Sequence, residues 1–177
     1  METLFILAVI IIVVGFCVSV KIQYDNQKYM KEQGILCDIP IIHVAGHPYL
    51  SHDDKLNIQI DKNTVCLIPK SSITAMRLVK ENIDVKTGIE IPISQITRYE
   101  LKTESEIQKD VTLTRLLALG VLAFGLKKKT EINNTYLILS YVQNNVPIDC
   151  IFKNTVNNQQ LGNIISTLNR LKIEKTT

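Results

Sequence analysis

Seventeen consecutive residues without a charge, Leu4 to Val20 (LFILAVIIIVVGFCVSV), constrain this chain more than anything that follows them. As a helix rising about 1.5 Å per residue, the run extends about 25 Å. A bilayer core of about 30 Å is crossed by about 17–25 apolar residues. The expectation is therefore a transmembrane anchor over residues 1–21, built on Leu4, Phe5, Ile6, Leu7, Val9, Ile10, Ile11, Ile12, Val13, Val14 and Phe16. A cleaved signal peptide fits less well. Met1-Glu2-Thr3 offers no positive side chain, the apolar core is long, and Phe16 precedes Cys17 where a lipoprotein site needs a small residue.

Charge sets the expected orientation. All 20 Lys and Arg lie beyond Val20, starting with Lys21, Lys28 and Lys31. The positive-inside rule then expects a single-pass protein of the cell membrane, its N-terminus outside and its C-terminal domain in the cytoplasm. Cys37, Cys66 and Cys150 form an odd set with no CxxC, which reads as reduced thiols and not a disulfide framework.

The rest of the 177-residue chain is long enough for one domain with a core of its own. Glu2 is the one charged side chain before Lys21, so the remainder carries a net charge of +4. That is mild. It suits a surface facing anionic lipid headgroups and falls short of the basic stripe of a nucleic-acid binder.

Residues 22–54 read as a juxtamembrane stalk and leader. Lys21–Gly34 continues the helix and stops at Gly34. Pro40, Gly46 and Pro48 then argue against helix, with Ile41–Val44 a short first strand or packed leader. From Lys55 the apolar period becomes two. Leu56–Ile60 and Thr64–Ile68 read as a hairpin across Asp61-Lys62-Asn63. Ile73–Val79, Ile83–Val85, Ile89–Pro92 and Thr97–Lys102 are expected strands, with Pro92–Ile96 a corner. Thr135–Val142 and Val146–Phe152 form the clearest hairpin. At the end the period changes again. Leu161, Ile164, Ile165, Leu168 and Leu171 trace the stripe of an amphipathic helix.

The expected fold is thus α+β: an N-terminal transmembrane helix, then over residues 55–177 an antiparallel β-barrel or sandwich of about seven strands capped by a C-terminal amphipathic helix. The runs IPISQITRYELKTESE, VTLTRLLALGVLAFGLKKK, TYLILSY and DCIF, closed by NNQQLGNIISTLNRL, resemble small bacterial membrane-anchored proteins with a PH-like or GRAM-like domain of unknown function. The resemblance covers roughly Lys55 to Lys172. It implies the fold, and by analogy a binding role, without assigning functional residues.

Two stretches are candidates for function. Leu113–Leu126, followed by three lysines, is too short to span a bilayer at about 21 Å. It reads as core, or as a surface meeting the membrane or a partner through Arg115, Leu116, Leu119, Leu122, Phe124, Lys127, Lys128 and Lys129. His43, His47 and His52 with Asp53 and Asp54 are the one cluster of metal-ligand types, but Gly46 and Pro48 oppose the helix that would align the histidines. Ser51-His52-Asp53 is adjacency in sequence, whereas triads assemble in space. Glu100, Glu104 and Glu106 read as a solvated face. The expectation is a membrane-tethered cytoplasmic binding or scaffold module, not an enzyme, with no cofactor, no metal and no nucleic acid. Its partner would be a protein or the membrane surface. The alternative is a small tethered enzyme or metal-binding protein built on the His43–Asp54 loop.

Overall fold

The computed structural model describes residues 2–110, 135–154 and 158–174, and their side chains except those of 2–10, 26, 108 and 158. The chain divides into two compact units, Met1–Leu36 and Cys37–Thr177.

The first unit is the helix α1 (Glu2–Glu32). It stops where its backbone reaches Gly34, at φ +67°. The Gly34 amide donates to Lys31 O at 3.2 Å and the Ile35 amide to Met30 O at 2.8 Å. This is the glycine-terminated hydrogen-bond pair that satisfies the last carbonyls of a helix. The expected membrane anchor is corrected here. No helix among the described residues is long and apolar enough to cross a membrane. The uncharged run of α1 ends at Val20. Lys21, Asp25, Lys28, Lys31 and Glu32 then supply charge. Ile11, Ile12, Val13, Val14 and Phe16 are exposed. The side chains of Leu4, Phe5, Ile6, Leu7, Val9 and Ile10 lie outside the described residues. The single-pass placement, N-terminus outside and domain inside, falls with the span.

The second unit is a seven-stranded antiparallel sheet with helices, an α+β arrangement. Its strands are β1 (Cys37–Ala45), β2 (Lys55–Ile60), β3 (Thr64–Pro69), β4 (Ile89–Pro92), β5 (Ile96–Thr103), β6 (Thr135–Gln143) and β7 (Val146–Asn154). The order is β4-β3-β2-β1-β7-β6-β5. Thus β1 sits at the centre, between β2 and β7. The sheet is open, with β4 and β5 at opposite ends, so the barrel closure expected from the sequence is not formed. The β6–β7 hairpin turns through Asn144 and Asn145, both in the left-handed region at φ 51° and 63°. That is the backbone a two-residue hairpin loop demands, and asparagine tolerates it.

Alternation along β6 sorts the apolar residues to two faces. Leu137, Leu139 and Tyr141 join the main core with Ile41, Ile58, Leu67 and Phe152, and the C-terminal helix α4 (Asn158–Glu174) covers it with Leu161, Ile164, Leu168 and Leu171. Tyr136 and Ile138 turn to the other face and pack with Val44, Ile151 and Ile107 of the short helix α3 (Glu104–Lys109). Two polar ties hold α4 to β5: Tyr99 Oη donates to Asn169 Oδ1 at 2.8 Å, and Lys172 Nζ donates to Ile96 O at 3.2 Å.

Two expected strands are absent. Ile73–Val79 lies in the helix α2 (Ser72–Lys80). Ser71 Oγ caps it by accepting the Thr74 amide at 3.1 Å, and buried Thr74 and Leu78 are one turn apart on its inner face. Ile83–Val85 is drawn into a turn because Asp84 accepts twice, at its side chain from the Lys86 amide (2.9 Å) and at its carbonyl from the Gly88 amide (2.7 Å). Pro92–Ile96 is a corner, with a 3-10 turn at Ile93–Gln95.

Gly88 closes that turn at φ +68°, and a Cβ there would stand 2.2 Å from the Leu67 carbonyl oxygen. Backbone cannot yield as a side-chain tip can. Gly88→Ala is therefore expected to cost about 2 kcal/mol in urea denaturation. A loss below about 0.5 kcal/mol would contradict the contact.

Candidate functional site

The loop from β1 to β2 carries the cluster singled out in the sequence, and its side chains are spent on holding structure. His43 faces the main core, its ring edge-on to Phe152 with centroids 5.7 Å apart. Just beyond it the β1–β7 register breaks between His43 and Ala45, and Gly46 at φ +106° leads the chain off the sheet. The His47 amide donates to His43 Nε2 at 3.2 Å, so that nitrogen carries no proton. The proton sits on Nδ1, 2.9 Å from its acceptor Ser51 O. By the same logic the Tyr49 amide donates to His47 Nδ1 at 3.1 Å, which places the His47 proton on Nε2.

Burial holds both rings neutral. It lowers the His43 pKa below the ordinary histidine value, and together with the nearby His43 it takes His47 down to about 4. His47 lies over Tyr141, with centroids 6.4 Å apart and rings 28° from parallel, and meets Tyr49 edge-on. His47 Nε2 and Tyr141 Oη are both buried and find no hydrogen-bond partner among the described residues. Desolvation pushes the Tyr141 phenol well above its usual value.

Asp54 ends the loop as a bolt. One carboxylate oxygen accepts the Ser51 amide at 2.7 Å and pairs with Arg77. The other accepts Thr74 Oγ1 at 2.9 Å. Thr74 and Arg77 both belong to α2, so a single buried carboxylate ties the loop to the helix. His52 stands apart, paired with Asp53 at 2.9 Å, and Asp53 is in turn held by Lys153 at 3.0 Å.

This arrangement has little to offer a metal or a nucleophile. Both His43 nitrogens serve backbone groups, and His47 keeps only its protonated Nε2 outside such contacts. Among the described residues no three His, Cys, Asp or Glu side chains are grouped as metal ligands. Glu100 and Glu106 are also engaged. Glu100 pairs with Arg98 and Lys102, which both reach Asp110. Glu106 accepts the Thr103 amide at 2.7 Å in a capping box at the start of α3, and that bond lowers its pKa. The candidate contact residues Arg115, Leu116, Leu119, Leu122, Phe124, Lys127, Lys128 and Lys129 lie outside the described residues.

What the loop holds in place is unusual. With Thr74 and Leu78 turned inward, α2 presents Ile73, Met76 and Val79 to solvent at 69%, 68% and 57% exposure. Reading 73–79 as a strand hid this face, because alternation would have buried Ile73 and Val79 together. Two signals were available: Ser71 three residues before Thr74, and apolar residues three apart. No family model and no curated protein matches the chain.

Proposed function

We propose that the chain is a non-catalytic binding module, PH-like in layout, that docks another protein on the outer face of α2. One observation carries this reading. The His43–Asp54 loop commits its side chains to backbone and to the Asp54 bolt, and the helix it fixes turns three large apolar side chains outward. Scattered exposed hydrophobes are ordinary, but a stripe of them on one rigid helix marks an interaction surface. The open antiparallel sheet with a helix across one face supports the PH-like reading by layout alone, and layout names no ligand.

Site-specific photo-crosslinking of the full chain in cells tests the proposal. A crosslinker at Met76 is expected to give a discrete protein adduct. One at Val146, exposed on the β6–β7 hairpin, is expected to give none. Adducts from Val146 without any from Met76 would sink it.

A further inference from the structure

We infer that Gly46–Leu50 is an acid-released flap: a proton on His47 undoes its fastening and uncovers Tyr141 while the sheet stays folded. The flap lies outside the sheet ladder. Pairing of β1 with β2 ends at Ile42 and Lys55, and pairing of β1 with β7 ends at Ala45. Gly46 at φ +106° turns the chain away. Ser51, whose amide donates to Asp54 at 2.7 Å, pins the far end. Among the described residues three hydrogen bonds fasten the stretch between, all from amides. His47 donates to His43 Nε2 at 3.2 Å, Tyr49 to His47 Nδ1 at 3.1 Å and Leu50 to His47 O at 3.3 Å. Two of the three end on imidazole nitrogens, which accept only while unprotonated.

A second proton on His47 must take Nδ1, because Nε2 already carries one, and it displaces the Tyr49 amide. The imidazolium so formed meets no counter-charge among the described residues. His47 is faced by Tyr49 from its own segment, by His43 from β1 and by Tyr141 from β6, with Cys150 of β7 beside that phenol. The loop carboxylates are placed elsewhere. Asp54 is held by Thr74 and Arg77 of α2 and, with His52, faces His43; Asp53 pairs with His52 and Lys153. A buried charge without a partner must reach water, and a swing about Gly46 takes His47 there. Opening also hydrates His47 Nε2 and Tyr141 Oη, the two buried atoms that closure leaves unsatisfied among the described residues.

The sheet has its own core. Ile41, Ile58, Leu67, Leu139 and Phe152 are sealed by α4 through Leu161, Ile164 and Leu168; from the flap, Leu50 and partly buried Tyr49 join them. Releasing five residues therefore exposes far less surface than unfolding the sheet. His47 titrates near 4 with the flap closed and near 6.5 with it open. The open population thus rises about tenfold per pH unit as the pH falls between those values, and levels off below about pH 4.

Amide hydrogen exchange of the full chain, resolved by residue from about pH 7.5 to about pH 5, tests this. After correction for intrinsic rates, protection of the His47 and Tyr49 amides is expected to fall roughly 30-fold. It is expected to lie well below that of β6 and β7 at each pH and to change little in sub-denaturing urea, whereas β6 and β7 follow the steep urea dependence of global unfolding. His47→Asn, which offers the Tyr49 amide an uncharged acceptor, is expected to remove the pH slope from the flap. Flap amides that share the protection and urea dependence of β6 and β7 would show that His47 gains its proton in global unfolding alone, and would overturn the flap. Flap protection that stays level across the pH range, or a slope that survives in His47→Asn, would overturn it equally. The unsubstituted chain supplies the first two readings, so the outcome does not hang on whether His47→Asn folds.

Discussion

Asp54→Ala is expected to lower the stability of the Cys37–Thr177 unit by about 3 kcal/mol, roughly 10 °C in melting temperature. The substitution removes the acceptor of three donors at once: the Ser51 amide, Thr74 Oγ1 and the Arg77 guanidinium. Removing one partner of a buried ion pair costs about 3–5 kcal/mol because the other charge is stranded. Here the value falls at the low end. The Asp54 side chain is 9% exposed but that of Arg77 is 33% exposed, so the guanidinium can turn to water. Thr74 also keeps its contact with Ser71 Oγ at 2.7 Å. Asp54→Asn, which preserves shape and acceptor oxygen but not charge, is expected to cost about half as much. Urea denaturation measures both, and amide exchange locates the effect. Protection of the α2 amides is expected to fall in Asp54→Ala before that of β6 and β7. A loss under about 1 kcal/mol, or uniform loss of protection, would mean that Asp54 is not what holds α2.

Acid is the second large effect. His47 titrates near 4 in the folded chain and near 6.5 when unfolded. The unfolded state therefore takes up a proton first as the pH falls. Stability is full above about pH 6.5, declines between there and about pH 4, and levels off below as the folded ring is protonated too. A separation of about 2.5 units corresponds to about 3 kcal/mol across that window. His43 is displaced in the same direction by burial and adds to the slope. Both effects act through one loop, since a proton on His43 Nε2 would face the His47 amide that now donates to it. Stability measured from pH 7 to 4 in urea is expected to show this fall, and His47→Gln to remove a large part of it. A flat profile between pH 6.5 and 4.5 in the unsubstituted chain would contradict the buried neutral rings.

The histidine loop separates what sequence could show from what it could not. Gly46 and Pro48 were enough to exclude a helical ligand pair at His43 and His47. Nothing local could show that Asp54 would meet Thr74 and Arg77, some twenty residues on, because that contact exists only once β2 and β3 have brought α2 back over the loop. The error at 73–79 has a related cause. Ser-Ile-Thr-Ala-Met-Arg-Leu-Val-Lys mixes β-branched residues with helix formers, so propensity leaves the choice open. The Ser71 cap and the Thr74–Asp54 bond decide it. The anchor expectation rests on seventeen uncharged residues, whereas no helix among the described residues is long and apolar enough to cross a membrane.

Periodicity alone determined the strands that alternate cleanly, the β6–β7 hairpin with its two asparagines, the corner at Pro92–Ile96 and the C-terminal helix with its stripe at Leu161, Ile164, Leu168 and Leu171. These depend on spacing along the chain, which sequence records directly. Tertiary structure alone decided that Ile41–Val44 lies in the central strand, that the sheet stays open between β4 and β5, and that Ile73, Met76 and Val79 face outward. Those outcomes depend on which distant elements meet, and the energy that selects them resides in contacts such as Asp54 with α2, not in the local pattern of either partner.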